Sequence, residues 1–183
     1  LYGTDAMGST AENLVELYGI SREDQDAFAY VSQMKAAKAQ ANGRLAEEIS
    51  PVSIPQRKKD PIVFSQDEFI KPNSSAEVLG KLRPAFKKEG GTVTAGNSSG
   101  LNDGAAALLM ASEDGIKANG LTPLARVVSS GVVGVEPRIM GIGPVYASEM
   151  ALKKAGLTLD QMDILELNEA PGIRSIFGFL FEI

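Results

Sequence analysis

The sequence predicts an α/β protein, and three observations carry that expectation. The second half alternates an apolar run at 105–112 (AAALLMAS), a helix at 112–120, a β-branched run at 124–135 (LARVVSSGVVGV), a second helix to Gly156 and a short apolar run at 163–170 (DILELNEA). Strand, helix, strand, helix, strand is the order of a sheet covered by helices. The run after Gly104 is unbroken in its apolar character, as a strand buried on both faces requires. Ligands of such sheets bind beyond the carboxyl ends of strands, where Asn168 and Glu169 fall.

Each element has a local justification. Ser9, three residues before Glu12, forms a capping box; Leu14, Leu17 and Tyr18 follow at helical spacing, and Gly19 is a stop. A second helix starts at Ser21 with Asp24 at its third position, presents Ala27, Phe28, Val31 and Met34 as an apolar face, and ends at Gly43. LAEEISPVSI at 45–54 reads as a strand running into irregular chain, with Pro51 placing it on an edge. Residues 55–71 are polar and mixed in charge, and the basic cluster RKKD at 57–60 reads as a solvated loop. SSAEVLGKL at 74–82 is a short helix with a serine cap. Ser112 caps another that ends at Gly120. MGIGP at 140–144 is a tight loop whose proline opens a helix through Met150 and Leu152 to Gly156.

Composition narrows the function. With 183 residues, 44% of them hydrophobic, the chain has room for one good domain or two small ones. A net charge of −5 gives no global reason to expect nucleic acid or an anionic membrane surface. No apolar run is long enough for a membrane span, and no charged-then-apolar leader opens the sequence, so a cytoplasmic location is expected. There is no cysteine and no histidine. That removes disulfides, thiolate nucleophiles, most zinc sites and the commonest general base, and no metal site is expected.

The most unusual stretch is TAGNSSGLNDGAAALLM at 94–110, with glycines at 96, 100 and 104. Polar residues between them rule out a membrane-helix dimer motif. Ala105 stands where a phosphate-cradling loop needs lysine. Two readings stay open: a loop packed tightly against its own protein, or a backbone that must approach a ligand, which glycine permits because it lacks Cβ.

MGSTAEN at 7–13, SREDQDAFA at 21–29, KLRPAFKKEGGTVTAGNSSGLNDGAAALLM at 81–110, MGIGPVYA at 140–147 and ELNEA at 166–170 occur in one order. Together they resemble the thiolase family, on the side of the acetyl-CoA acetyltransferases, over positions 2–170. The resemblance implies a thiolase-like layered α/β fold, present in part. Residues 1–100 resemble the loop domain, 101–120 the last strand and helix of the first half, and 121–170 the start of the second half, followed by a divergent tail at 171–183. It implies acyl transfer, and Claisen condensation or thiolysis, on coenzyme A thioesters as substrates with no further cofactor, in a parent that is a homo-oligomer, often a tetramer. A degradative 3-ketoacyl-CoA thiolase is the neighbouring alternative; a non-catalytic acyl-CoA-binding module or a structural pairing element are the others.

Residue by residue, Ala95, Ser99 and Leu101 match positions along the pantetheine arm, and Phe86 an aromatic beside the CoA. Lys71 falls where a basic residue stands near the nucleotide phosphates. Met7 and Ala170 match substrate-contacting positions of MGSTAEN and NEA, and Met140 the methionine of the MGxGP loop. Asn168 matches the asparagine that holds a water in the oxyanion hole, where one donor is worth about 2.7–4 kcal/mol. Taken without the family, Phe86 is an ordinary core residue, Lys71 an exposed lysine, Met140 a gap-filler and Asn168 a turn residue closing a strand.

Three departures qualify the resemblance. The family's nucleophilic cysteine, its histidine and its second cysteine have no counterpart here; they are expected before Leu1 and after Ile183, so the chain alone is expected to be inactive. Loss of a nucleophile costs on the order of a millionfold in turnover. Ala6 replaces a histidine found in several relatives. The tail PGIRSIFGFLFEI, in which Pro171 interrupts an expected helix start, reads as truncation with a shifted reading frame. A chain that begins a sheet at 124–167 without completing it is expected to expose apolar strand edges and to be poorly soluble or molten.

Overall fold

Helix starts and stops follow their local chemistry closely. In the structure, a computed structural model that describes residues 5–168, α1 spans Met7–Tyr18 and α2 Arg22–Ala41. Ser21 caps α2 by accepting from the Asp24 amide, and Ser75 and Ser112 do the same for α3 (Ala76–Gly80) and α4 (Glu113–Asn119) through Val78 and Gly115. α5 (Gly143–Ala155) carries Pro144 in its first turn, where no amide donor is needed. α1, α4 and α5 end on Gly19, Gly120 and Gly156, all in the left-handed region.

Strands are where the structure differs from the sequence reading. Residues 45–54 are not one strand. A 3-10 turn at Leu45–Glu47 comes first, with Arg44 pairing Glu47 and Glu48 along it, and only Val52–Ile54 (β1) is extended in a ladder. Its partner is β2 (Ile62–Phe64), antiparallel with Ser53 opposite Val63, inside the stretch read as polar loop. The basic cluster 57–60 lies exposed in the connection of this hairpin. The runs 105–112, 124–135 and 163–168 form no ladder; Leu108, Leu109 and Val132 are more than four-fifths exposed. A strand exists only through its neighbours, and among the described residues these runs have none.

The chain divides into two compact units: residues 5–100 with Pro137–Gly141, and residues 101–136 with 142–168. In the first, Ala11, Leu14, Val15 and Ile20 supply the core from α1 and its exit, joined by Ala29, Leu79 and Val93. α2 packs against α3. Its buried side is not the expected Ala27, Phe28, Val31 and Met34 stripe: Gln25, Asp26 and Ala29 are buried, while Ala27 and Val31 are exposed. Polar groups hold that side because Asp26 and its neighbour Arg22 find partners there. In the second unit, residues 129–131 lie along α5. Ser129 Oγ donates to Ala151 O at 2.7 Å and Lys154 Nζ to Ser130 O at 2.9 Å. Gly131 sits so close that a Cβ there would be 2.0 Å from Ala147 O.

Candidate functional site: a groove beside the glycine-rich loop

Glu12, read from the sequence as half of a capping box, does something else. The N-cap of α1 is Ala6, with no side-chain bond, and Ser9 lies inside the helix. The Glu12 side chain turns to the chain 80 residues away. Oε1 accepts from the Thr92 and Val93 amides at 2.9 and 2.8 Å, and Oε2 accepts from Thr92 Oγ1 at 3.1 Å. Two amides, one of them buried, outcompete a local cap, because leaving a buried amide unpaired costs more. The segment is also pinned by the Ala85 amide donating to Val93 O and by an isolated bridge between Pro84 and Thr94.

The loop that follows is organised from inside. Asn97, 1% exposed, accepts from the Thr94 amide at 2.7 Å and donates to Thr92 O and to Asp26 Oδ1. Thr94 Oγ1 accepts from the Gly96 and Asn97 amides, and Ser98 Oγ donates to Thr94 O. Thr94, Asn97 and Ser98 of TAGNSSG therefore stiffen the loop, while Ser99 faces solvent. Its glycines answer first to the protein itself. A Cβ on Gly96 would lie 2.5 Å from Leu82 Cδ1 and 2.6 Å from Leu79 Cδ2, and one on Gly100 would lie 2.4 Å from the Phe69 ring. The tight-packing reading accounts for both glycines.

Beside this loop lies a cavity of about 350 Å³ whose lining includes Leu79, Leu82, Ala95, Gly96, Ser98 and the exposed Lys71. The Lys71 amide donates to Gln33 Oε1, and its ammonium lies 5.2 Å from the centre of the Phe69 ring. Of the residues singled out in the sequence, Lys71 and Ala95 meet in this groove. Ser99 is exposed next to its lining. Phe86, 43% exposed, covers Gly8 so closely that a Cβ there would lie 2.2 Å from the ring, one residue from the half-exposed Met7. Met140 belongs to the same unit and is 43% exposed. Its segment is tied down by Asn13 Nδ2 donating to Arg138 O at 2.9 Å and by Arg138 pairing with Asp5. Leu101 and Asn168 lie in the second unit, both exposed. Ala170 and the tail 171–183 fall outside the described residues.

Sequence reasoning missed Glu12, Asp26 and Asn97 as organisers of the loop. Only their burial marks them, and a polar residue destined for burial has no local signature. Lys87 pairs with Glu16 on the surface of this unit. The Lys87 hydrogen bond, and then its charge, hold the Glu16 carboxyl below its ordinary value; the same bond and charge raise Lys87. Among the described residues no cluster of acidic side chains could hold a metal ion, and no helix is long and apolar enough to cross a membrane.

Comparison with known proteins shows the family. The family model described as thiolase, N-terminal domain matches residues 1–114, and that described as thiolase, C-terminal domain matches residues 121–177. A probable acetyl-CoA acyltransferase of Staphylococcus epidermidis is 56% identical over 170 residues, covering 93% of this chain and 43% of that protein. An acetyl-CoA acetyltransferase of Chromobacterium violaceum is 56% identical over 169 residues, with 92% and 43% covered. A beta-ketoadipyl-CoA thiolase of Acinetobacter baylyi is 54% identical over 170 residues, with 93% and 42% covered. The crystal structure of the Bacillus anthracis acetyl-CoA acetyltransferase superposes with a TM-score of 0.90 at 47% identity, covering 96% of this chain and 44% of that one. The chain thus spans less than half the length of these relatives, and with both family domains matched along it in order, it belongs to the thiolase family.

Proposed function

We propose that this chain is the coenzyme A-facing part of an acetyl-CoA C-acetyltransferase: it supplies tunnel walls and oxyanion support, and carries no acyl-transfer chemistry of its own. One observation carries the reading: a glycine-rich loop, stiffened by buried side chains, lines a groove together with an exposed lysine. Such a groove suits a slender thioester arm that ends in phosphates. Lys71 serves the phosphates, and Phe86 with Met7 the CoA flank. The family resemblance assigns Ala95, Ser99 and Leu101 to contacts with the arm, and Met140 and Ala170 to contacts with the substrate. Asn168 holds the water that stabilises the enolate oxygen as charge develops there. The loop-domain role falls to residues 1–100, the end of the first half to 101–120 and the start of the second to 121–170.

In the complete reaction a cysteine thiolate takes an acetyl group from one acetyl-CoA and releases CoA. A base then removes a proton from the methyl of a second acetyl-CoA. The resulting enolate attacks the acetyl-cysteine, forming the new carbon–carbon bond and freeing the thiolate. The sequence contains no cysteine or histidine, so neither nucleophile nor imidazole comes from it. The similarity to a beta-ketoadipyl-CoA thiolase favours a second reading, in which the same groove serves the reverse, degradative cleavage of a longer 3-ketoacyl-CoA. A homo-oligomeric parent and a cytoplasmic location belong to the same proposal.

Titration calorimetry with CoA, paired with an acetoacetyl-CoA thiolysis assay, tests it. Heat of binding with no thiolysis above background is the expected result. Turnover by the chain alone refutes the division of labour; no CoA binding leaves only a structural role.

A further inference from the structure

We propose that Arg22, Asp26 and Asn97 form one relay, buried at Asp26 and Asn97, that fixes both walls of the groove, and that Asp26 is the positioning residue joining them. Arg22 Nη2 donates to Leu79 O at 2.8 Å and Leu82 O at 3.0 Å, holding the C-terminal turn of α3 that presents the two leucines to the groove. Arg22 Nε donates to Asp26 Oδ2 at 2.8 Å. The other oxygen, Asp26 Oδ1, accepts from Asn97 Nδ2 at 2.9 Å, and Asn97 in turn fixes the Thr94 amide and Thr92 O. The loop bearing Ala95 and Gly96 is therefore tied to the same carboxylate as the leucine wall. Gly96 packs directly against Leu79 and Leu82, so a shift of either segment reshapes the lining they share.

Position 26 needs two acceptor oxygens side by side. Both oxygens face donors, a guanidinium N–H on one side and an amide N–H on the other. An asparagine there keeps the shape but turns an NH₂ toward one of them, and its neutral oxygen holds the other less strongly than a carboxylate does, so both contacts weaken. Asp26 is 6% exposed and Asn97 1%, so solvent offers no replacement partner. The relay touches no reacting atom. It acts through Leu79, Leu82 and Ala95, and its ligand consequence rests on the coenzyme A reading above.

Amide hydrogen exchange on the full chain, combined with CoA titration, tests the relay. In Asp26→Asn, exchange at 79–82 and at 92–98 is expected to speed up together by about tenfold or more, with α1 amides unchanged. The dissociation constant for CoA is expected to rise about tenfold. Arg22→Lys keeps the pairing with Asp26 but loses the fork to two carbonyls, so 79–82 is expected to loosen while 92–98 stays protected. Loosening of only one segment in Asp26→Asn, or of both segments in Arg22→Lys, overturns the relay. So does unchanged CoA affinity in an Asp26→Asn chain whose two segments have loosened. If the unaltered chain binds no CoA, the coenzyme A reading fails by itself, and the exchange pattern alone decides whether one carboxylate governs both walls. Should Asp26→Asn lose α1 protection as well, the Arg22→Lys pattern decides.

Discussion

At the scale of single residues, Glu12 and Lys87 make opposite kinds of contact. Glu12→Ala strands the buried Val93 amide and frees the half-buried Thr92 amide, which costs about 1–3 kcal/mol. Glu12→Gln keeps an acceptor for both amides and a donor for Thr92 Oγ1, so most of the loss is avoided. Exchange of the Val93 amide reads both variants. The Glu16–Lys87 pair lies at the surface, so solvent screens it and its contribution to stability is small. Glu16 is depressed, so the pair's contribution is present above the ordinary glutamate value and fades as pH falls through the lower folded value. Lys87 is raised, so the contribution holds below the ordinary lysine value and fades as pH climbs through the higher folded one. In Lys87→Met, carboxyl NMR is expected to show the Glu16 midpoint moving up, and added salt to shrink the difference. Lys71→Ala is expected to weaken CoA binding about tenfold, or about 1.4 kcal/mol, in calorimetry.

At the scale of elements, caps and packing distances set the expectations. Ser112→Ala removes the acceptor for the Gly115 amide and is expected to cost α4 about 1 kcal/mol, read as lost helical protection. Gly131→Ala drives a methyl into the Ala147 carbonyl of α5, and a helix backbone cannot yield as a side chain does. The Ser129–Ala151 bond is expected to break with it, with 129–131 losing protection in hydrogen exchange. The difference between these two cases also explains what could be read in advance. Ser21, Ser75, Ser112, Gly19, Gly120, Gly156 and Pro144 announce helix ends because a cap is settled within four residues of chain. β2 was hidden inside a polar stretch because pairing with β1, not composition, makes Ile62–Phe64 a strand. The groove was half legible. Its small residues were conspicuous, but the carboxylates that aim them gave no sign, since Glu12 carried a plausible local role.

At the scale of the molecule, the two units differ in how much apolar surface they cover. The first has a core; the second leaves Leu101, Leu108, Leu109, Leu124 and Val132 almost wholly in water. That surface is expected to bind a hydrophobic dye and to drive concentration-dependent association in light scattering, and Leu108→Lys with Leu109→Lys is expected to reduce both. The alternation that signalled an α/β protein was real as a pattern, yet these runs are strands only in company, and the relatives are more than twice as long. The grip of Glu12 on Thr92 and Val93 has a further consequence, in time rather than space. It buckles a ring of about 80 residues, whose closure costs about 4 kcal/mol of chain entropy. Until Thr92 and Val93 have been made α1 lacks that buckle, so a ribosome halted before Thr92 is expected to hold a nascent chain whose α1 segment is still open to proteases.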